Sequence, residues 1–411
     1  MYNFVFYFQS YCKLGMNYRQ LFLQHMAQTS NAPIGIEMQR AHGIYLFDVQ
    51  GKEYIDGISG FSVANIGHSH PKVVSAVQQQ VSEYMHLIVY GEFIQQPQVA
   101  YAKLLTDYLP ATLNCVYFTN SGTEATEGAM KLAKRITGRT KILAFHNAYH
   151  GSTQGALSIM GSEYWRNAYR PLLPEVYHLV YGSDAAIEAI DNQTACVVVE
   201  MVQAEAGIVS PMKEWLQALR AECAAKGVML IADEIQSGFG RTGTLWAFEQ
   251  SGIVPDILLL GKALGGGMPL GAFIADRTHM QLLTHDPVLG HITTFGGHPV
   301  SCAAGKAAFE VLLDQQFIPA VKEKENFLKN YLQHPAIKAI RSAGLWMAVE
   351  FGNFETNQKV IHQCIQHGLI TDWFLFRPQA MRIAPPLCIQ KKELKKISGI
   401  ILQSIIDTGV E

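Results

Sequence analysis

The feature that most constrains the fold is a set of short, continuously apolar runs that each end in polar residues. The run 227–232 ends at Asp233, and the run Ile257–Leu260 leads to Lys262. Runs of this kind are typical of strands buried on both faces of a parallel sheet. Because ligands bind at the carboxyl ends of such strands, we expect Asp233 and Lys262 to converge on one site.

Strand-like and helix-like segments alternate from about residue 112 to residue 275, which predicts a mainly parallel sheet with helices on both faces. The predicted strands are 116–118, Lys141–Phe145, 197–199, 228–232, Ile257–Leu260 and Gly271–Ala275. A smaller α+β lobe is also predicted. It contains a hairpin with strands near 43–48 and 52–56, and helices near 300–314 and 391–407. The expected organisation is an N-terminal extension (1–15), a segment that joins the small lobe (16–66), a large domain (67–305) and a C-terminal small domain (306–411).

The composition indicates an ordered protein, since 49% of the 411 residues are hydrophobic and 16% are charged. The net charge of −2 and the lack of a basic run argue against nucleic-acid binding. The seven cysteines are scattered without a CxxC pair, which favours reduced thiols in the cytoplasm. No apolar stretch is long enough to span a membrane, and residues 1–15 lack the pattern of a signal peptide, so we expect an extension that is disordered.

The turn Ser121-Gly122-Thr123 lies between a predicted strand and a predicted helix. Such a turn offers free N–H groups, hydroxyls and the positive end of a helix dipole, which together suit a phosphate group. The simpler interpretation is that Ser121 or Thr123 caps the helix. The phosphate interpretation gains weight beside Lys262 and Asp233, which suit imine formation and a pyridinium nitrogen.

Other cofactor motifs are missing from the sequence. It contains neither G-x-G-x-x-G after a strand nor G-x-x-x-x-G-K-[ST]. The pairs His146/His150 and His68/His70 have no matching Cys, Asp or Glu spacing, so we interpret them as polar turn residues and expect no metal site.

The stretch 230–243 together with 256–262 resembles the signature of class III aminotransferases, which are enzymes of fold type I that use pyridoxal 5′-phosphate (PLP). The resemblance extends from about residue 35 to the C-terminus. It implies an α/β fold, a PLP cofactor and a homodimer with shared active sites.

The resemblance also implies roles for individual residues. Lys262 forms the Schiff base with PLP and then moves the proton between substrate and cofactor. Asp233 pairs with the pyridine nitrogen and keeps the ring an electron sink. Ile235 packs under the ring, Gln236 bonds its phenolic oxygen and Tyr149 stacks on the other face. The remaining cofactor-binding residues are Ser121, Gly122, Thr123, His150, Glu200 and Thr294. Of these, Thr294 reaches the site from the neighbouring subunit.

Glu205 and Arg382 are the pair that the resemblance assigns to the substrate. Arg382 grips the α-carboxylate of 2-oxoglutarate or glutamate, for which a guanidinium fork is suited. Glu205 neutralises Arg382 when a substrate presents its terminal amine, then swings away for 2-oxoglutarate. The alternative for either residue is an ordinary surface ion pair. Phe61 is expected to crowd the pocket entrance.

Two positions depart from the best-known members of the family. Ser152 stands where acetylornithine, ornithine and 4-aminobutyrate aminotransferases carry an arginine for the far carboxylate of the substrate, and Asn31 stands where ornithine aminotransferases place a tyrosine. The far end of the donor is therefore expected to be neutral, cationic or apolar unless another residue binds a carboxylate. Diamines such as putrescine become candidates beside the ω-amino acids.

We therefore expect a PLP-dependent aminotransferase that moves a terminal amine to 2-oxoglutarate by a ping-pong mechanism. An aminomutase or racemase of the same fold is an alternative, although Arg382 with Glu205 suits exchange between two different substrates. A nicotinamide-linked oxidoreductase would also fit the coarse pattern, but it leaves Lys262 unexplained. A non-catalytic scaffold would not need Asp233, Gln236 and Lys262 together.

Overall fold

The computed structural model describes residues 17–89 and 91–409, so the predicted extension 1–15 lies outside the described residues. In chain order the strands are β1 (Met38–His42), β2 (Tyr45–Asp48), β3 (Glu53–Asp56), β4 (Cys115–Thr119), β5 (Lys141–Phe145), β6 (Val176–Leu179), β7 (Thr194–Glu200), β8 (Met229–Asp233), β9 (Ile257–Leu260), β10 (Gly271–Ala275), β11 (Ala339–Ser342), β12 (Met347–Glu350), β13 (Leu369–Ile370), β14 (Asp372–Phe374) and β15 (Arg377–Ile383).

The α-helices are α1 (Tyr18–His25), α2 (Ser59–Ser62), α3 (Pro71–Glu83), α4 (Gln96–Asp107), α5 (Gly122–Thr137), α6 (Gln154–Ser158), α7 (Glu163–Arg166), α8 (Asp184–Glu188), α9 (Lys213–Lys226), α10 (Arg277–Met280), α11 (Pro299–Asp314), α12 (Val321–Tyr331), α13 (Phe354–Gln366) and α14 (Lys391–Asp407). Short 3₁₀ helices occupy Asn167–Tyr169, Ala247–Gln250, Lys262–Gly265, Gln281–Thr284 and Ile318–Ala320. Within the described residues, the structure has no helix with the length and apolar character needed to cross a membrane.

The centre of the molecule is a seven-stranded sheet in the order β4-β10-β9-β8-β7-β5-β6. Neighbouring strands from β9 to β6 are parallel, whereas β10 is antiparallel to both of its neighbours. The chain between β9 and β10 contains only a 3₁₀ helix, which is too short for the crossover of about a dozen residues that a parallel return needs. The predicted mainly parallel sheet is confirmed. The edge strand β6 was not predicted, because its residues are largely half-buried and give no apolar run.

Helices cover both faces of this sheet, as predicted. Every residue of β7, β9 and β10 is buried. Along β9, Ile257 and Leu259 belong to a core that includes Ala129 of α5, while Leu258 and Leu260 belong to the opposite core, which includes Leu219 of α9. Burial on two faces explains why these strands are continuously apolar in the sequence.

The N-terminal segment joins the C-terminal part of the chain through a small sheet. Strands β2 and β3 form the predicted hairpin, and β3 pairs in parallel with β13. A third sheet, ordered β11-β12-β15-β14, is antiparallel and carries Arg382 on β15. The domain boundaries stay a prediction, although α11 runs through the boundary expected between residues 305 and 306.

Arg241 is a fully buried cation that ties these parts together. Its guanidinium donates to the Leu345 carbonyl at 2.9 Å and to the Pro385 carbonyl at 2.7 Å. It also donates to Ser59 Oγ at 2.9 Å and to Asn65 Oδ1. Burial lowers the pKa of Arg241 to about 9. One side chain therefore connects the large domain to both the N-terminal segment and the C-terminal lobe.

We expect Arg241→Met to destabilise the protein strongly, because each buried acceptor left without a donor costs about 1–3 kcal/mol. A loss of several kcal/mol in the free energy of unfolding is expected from urea titrations monitored by circular dichroism. Arg170→Met is the control, since Arg170 pairs with Glu163 at the half-exposed surface and should matter little. Equal stability of Arg241→Met and the wild type would contradict this role.

Candidate active site

The carboxyl ends of three neighbouring strands carry the residues that define the site. Glu200 ends β7 and lies opposite Asp233, which ends β8, and Lys262 follows β9. They line a cavity of about 310 Å³. The predicted convergence of Asp233 and Lys262 is confirmed. The predicted site residues in the lining are Gly122, Thr123, Tyr149, His150, Glu200, Asp233, Ile235, Gln236 and Lys262.

Asp233 is held by two hydrogen bonds inside this cavity. Its Oδ2 lies 2.7 Å from His150 Nδ1, and its Oδ1 accepts the N–H of Ile235 at 2.9 Å. Asp233 and His150 are both buried. His150 thus orients the carboxylate of Asp233. The two residues are 83 positions apart in the sequence, and the sequence alone did not predict their contact.

Glu200 is a second buried carboxyl group beside Asp233. Burial raises its pKa well above the ordinary value, and the negative charge of Asp233 raises it further. Its side chain accepts the N–H of Ala204 at 3.1 Å and the N–H of Tyr149 at 3.4 Å. Glu200 therefore connects two loops of the site through these bonds.

Lys262 has both the electrostatics and the backbone of a functional residue. Burial lowers the pKa of its amine, an effect that the nearby Asp233 opposes. A lowered pKa raises the fraction of free amine, the form that adds to a carbonyl. Its φ is +48°, a left-handed conformation that costs a non-glycine residue about 1–3 kcal/mol and is found mainly at functional sites.

The N-terminus of α5 forms one wall of the cavity. The first N–H groups of the helix, at Gly122 and Thr123, have no carbonyl one turn back to bond, and the helix dipole adds positive potential there. Ser121 is not in the lining, and its Oγ accepts the Glu124 N–H at 3.3 Å, so its side chain caps the helix. Thr123 Oγ1 lies 2.7 Å from Thr153 Oγ1, which fixes the hydroxyl.

Ile235 and Gln236 form the floor next to Lys262. A Cβ at Gly122 would lie 2.8 Å from Ile235 Cδ1, so a larger residue there would displace Ile235 from the start of α5. Gln236 Nε2 is buried, and it has no hydrogen-bond partner within the described ranges. Tyr149 lines the cavity, and its hydroxyl lies 3.1 Å from Ser152 Oγ.

These residues fit PLP, the cofactor that the resemblance implies. The cavity volume is within the range of about 300–1,000 Å³ usual for small-molecule sites. Gln236 Nε2 and His150 Nε2 are buried polar atoms without a partner in the described part of the chain. Lys262 suits the aldehyde, Asp233 the ring nitrogen and the start of α5 the phosphate. When bound, PLP supplies a protonated ring that withdraws electrons from the substrate carbon.

A second cavity, of about 520 Å³, shares Tyr149, Gln236 and Lys262 with the first. Arg382 lines it and donates to Glu205 through two parallel bonds of 2.9 and 3.0 Å. The side chain of Arg382 is 1% exposed and that of Glu205 is 9% exposed. The alternative of a surface ion pair is therefore wrong. Phe61 lines the same cavity, with its ring centre 5.0 Å from the guanidinium carbon of Arg382.

Two residues of the site had no signal in the sequence. Asp372 Oδ1 accepts a hydrogen bond from Arg382 Nε at 3.1 Å. The fully buried Trp346 lines the cofactor cavity, and its indole N–H has no acceptor among the described residues. Only the register of β14 on β15 brings Asp372 to Arg382, and such pairing is not readable from one sequence.

Two other residues that the sequence singled out lie outside both cavities of this chain. Thr294 is exposed on the loop before α11, and Asn31 is exposed in the N-terminal segment. The cofactor role of Thr294 depends on a neighbouring subunit and stays a prediction.

Comparison with known proteins agrees with this geometry. The family model for aminotransferase class-III matches residues 26–405. The chain is 39% identical to acetylornithine aminotransferase of Methanopyrus kandleri, over 94% of this chain and 97% of the relative. It is 35% identical to ornithine aminotransferase 1 of Staphylococcus aureus strain Mu50, over 91% and 95% of the two chains. It also matches an ornithine aminotransferase structure from Toxoplasma gondii, reported with partial occupancy of PLP, at a TM-score of 0.88 and 28% identity over 95% and 93% of the chains.

The fold and the site thus define a PLP-dependent transaminase. The chain belongs to the class III aminotransferases. The fold-type-I prediction is confirmed, and the oxidoreductase alternative is not supported.

We expect Lys262→Ala to abolish transamination, because the residue that bonds the aldehyde and moves the proton is lost. In the wild type, borohydride should fix PLP to the peptide that contains Lys262, as seen by mass spectrometry. Lys226→Ala, at the end of α9 with a half-exposed side chain, is the control and should keep both properties. Substantial turnover by Lys262→Ala would overturn the assignment.

Proposed function

We propose that this enzyme transfers the terminal amino group of an ω-amino acid or a diamine to 2-oxoglutarate, in two half-reactions of a ping-pong mechanism. The observation that carries the proposal is the buried pair of Glu205 and Arg382 in a cavity that opens onto Lys262. A paired Arg382 has no free fork for a carboxylate, which suits a donor that presents an amine and not an α-amino acid.

Lys262 carries the proton in this mechanism. Its Nζ would take the proton from the substrate carbon that bears the amine, as a general base, and then release it as a general acid. The lowered pKa of Lys262 suits this exchange, because the amine must alternate between its free and protonated forms. Asp233, which His150 orients, would bind the ring nitrogen of the cofactor.

Glu205 is placed to switch between the two half-reactions. It lies in the loop between β7 and α9, so its movement does not require a strand to break. In the donor half-reaction it neutralises Arg382. When 2-oxoglutarate enters, Glu205 leaves and the guanidinium fork accepts the α-carboxylate in a bidentate pair.

The far end of the donor meets no spare cation. Within the described residues, the lysines and arginines that line the two cavities are Lys262 and Arg382, and both have other roles. Ser152 lines the cofactor cavity where several relatives would carry an arginine. This supports donors such as putrescine, while the named relatives keep ornithine and N-acetylornithine among the candidates.

Exposed apolar residues support the proposal of a homodimer with shared sites. Thr294 lies between the exposed Ile292 and Phe295, and Ile94 is 96% exposed. Apolar surface of this kind marks protein interfaces. A partner that covers it would receive Thr294 at its own cofactor site. The six cysteines in the described part of the chain are free, which supports work in the reducing cytoplasm.

An amine panel tests the donor class. We expect the purified enzyme with 2-oxoglutarate to form glutamate from a terminal amine among putrescine, ornithine, N-acetylornithine, lysine and 4-aminobutyrate. The same panel with pyruvate tests the acceptor. Turnover of α-amino acids alone would contradict the proposed function.

Glu205→Gln tests the switch. The variant lacks the charge that pairs with Arg382, so we expect the preference for a terminal amine over glutamate to fall at least about 30-fold in kcat/KM, as for loss of a buried charge pair. Single-turnover spectroscopy of the bound cofactor measures each half-reaction separately. Glu222→Gln, on the half-exposed face of α9, is the matched control. An unchanged preference in Glu205→Gln would count against the switch.

A further inference from the structure

Arg382 is faced by two carboxylates instead of one. Glu205 binds its two terminal nitrogens, and Asp372 accepts from its Nε at 3.1 Å. The terminal nitrogen NH2 also donates to the Trp373 carbonyl at 3.2 Å. Two carboxylates around one guanidinium give this part of the cavity a net negative charge while Glu205 is in place.

The two carboxylates differ in how they are attached. Asp372 lies on β14 directly opposite Arg382 on β15, so backbone pairing holds both residues in register. Glu205 lies on a loop and depends on its side-chain bonds to Arg382 and to the Leu375 N–H at 2.9 Å. When Glu205 leaves for an acceptor, Asp372 therefore stays. It is a permanent counter-ion that keeps the guanidinium in position.

Asp372 also has an oxygen to spare. Its Oδ1 is bonded to Arg382, whereas its Oδ2 accepts no hydrogen bond from any residue in the described ranges. The side chain is 19% exposed and lines the 520 Å³ cavity that contains Lys262. A carboxylate oxygen left free in a partly enclosed cavity binds a cationic donor group strongly.

The walls around this oxygen suit an alkyl ammonium group. Phe61 and Trp373 line the same cavity. Aromatic walls favour the methylene chain of a substrate, and ring faces attract an ammonium group. Four of the five N–H groups of Arg382 already have an acceptor, so a far-end carboxylate would find no bidentate pair of donors here while Glu205 is in place.

We propose that Asp372 is a specificity-determining residue that binds the protonated far end of a cationic donor, such as a diamine, through Oδ2 while Oδ1 positions Arg382. The inference rests on the proposed function, since it names the donor class of the same site. Asp372, which is fixed in the sheet, selects the donor, and Glu205 moves to exchange the substrates.

The ionisation of Asp372 supports this role. Burial raises the pKa of Asp372 to about 6; Glu205 and Asp56 raise it, and Arg382 lowers it. Asp56 is itself paired with His68 Nε2 at 2.7 Å. Asp372 is therefore charged at neutral pH and loses its charge as the pH falls through about 6. The preference for a cationic far end should be present above that pH and disappear below it.

The test compares three donors with the same four-carbon chain: putrescine, butylamine and 4-aminobutyrate. Their far ends are cationic, apolar and anionic. We expect the wild type to prefer putrescine in kcat/KM of the donor half-reaction. In Asp372→Asn the ratio of putrescine to butylamine should fall about tenfold, the loss usual for one hydrogen bond to a charged group. Asp372→Glu should restore part of the ratio. Glu355→Gln, which removes an exposed carboxylate from α13, should leave it unchanged.

A second readout separates positioning from charge. Asparagine keeps an oxygen for Arg382 Nε and alanine does not, so KM for 2-oxoglutarate should rise more in Asp372→Ala than in Asp372→Asn. Below pH 6, the kcat/KM for putrescine relative to that for butylamine should decrease in the wild type. In Asp372→Asn this ratio should not change with pH. The same ratio in the wild type and Asp372→Asn, or no preference for putrescine in the wild type, would overturn the inference. If no terminal amine were a donor while glutamate still reacted, the proposed function itself would be refuted.

Discussion

The parallel pairing of β7, β8 and β9 is the constraint on which the site depends. Each strand is buried on both faces, so none can shift its register without moving apolar side chains out of the core. Parallel direction brings the strand ends to one edge, where Glu200, Asp233 and Lys262 come together. The positions of Glu200 and Asp233 are thus set by backbone pairing in the sheet, and Lys262 follows shortly after the end of β9.

Placing so many carboxyl groups in one region creates an electrostatic problem that the structure resolves in different ways. Burial and the neighbouring Asp233 raise the pKa of Glu200, whose carboxyl group accepts two backbone N–H groups. Asp233 keeps a hydrogen bond to His150, and Glu205 shares Arg382 with Asp372. Each carboxyl group is therefore protonated or hydrogen-bonded, which is what burial of such groups requires. Burial lowers the pKa of Lys262 beside them, an effect that the nearby carboxyl groups oppose.

The sequence predicts those parts of the molecule that have a local signal. Continuous apolar runs locate the central strands, and the polar residues after them locate Asp233 and Lys262. The edge strand β6 has no such run, because its half-buried residues are mixed in character. Contacts between distant segments also leave no local pattern. The bond from His150 to Asp233 and the bond from Arg382 to Asp372 both depend on tertiary register, and so does the position of Trp346.

A pocket that must bind two different substrates in turn needs one part that changes and one that does not. If both carboxylates near Arg382 were on loops, the guanidinium would lose its orientation each time a substrate carboxylate displaced its partner. If both were on strands, the fork could not open. In the mechanism that we propose, Asp372 on β14 and Glu205 on a loop divide these tasks, since a fixed bond to Nε allows the two terminal nitrogens to exchange Glu205 for a substrate. The geometry of a guanidinium, with one lateral and two terminal nitrogens, is what makes this division possible.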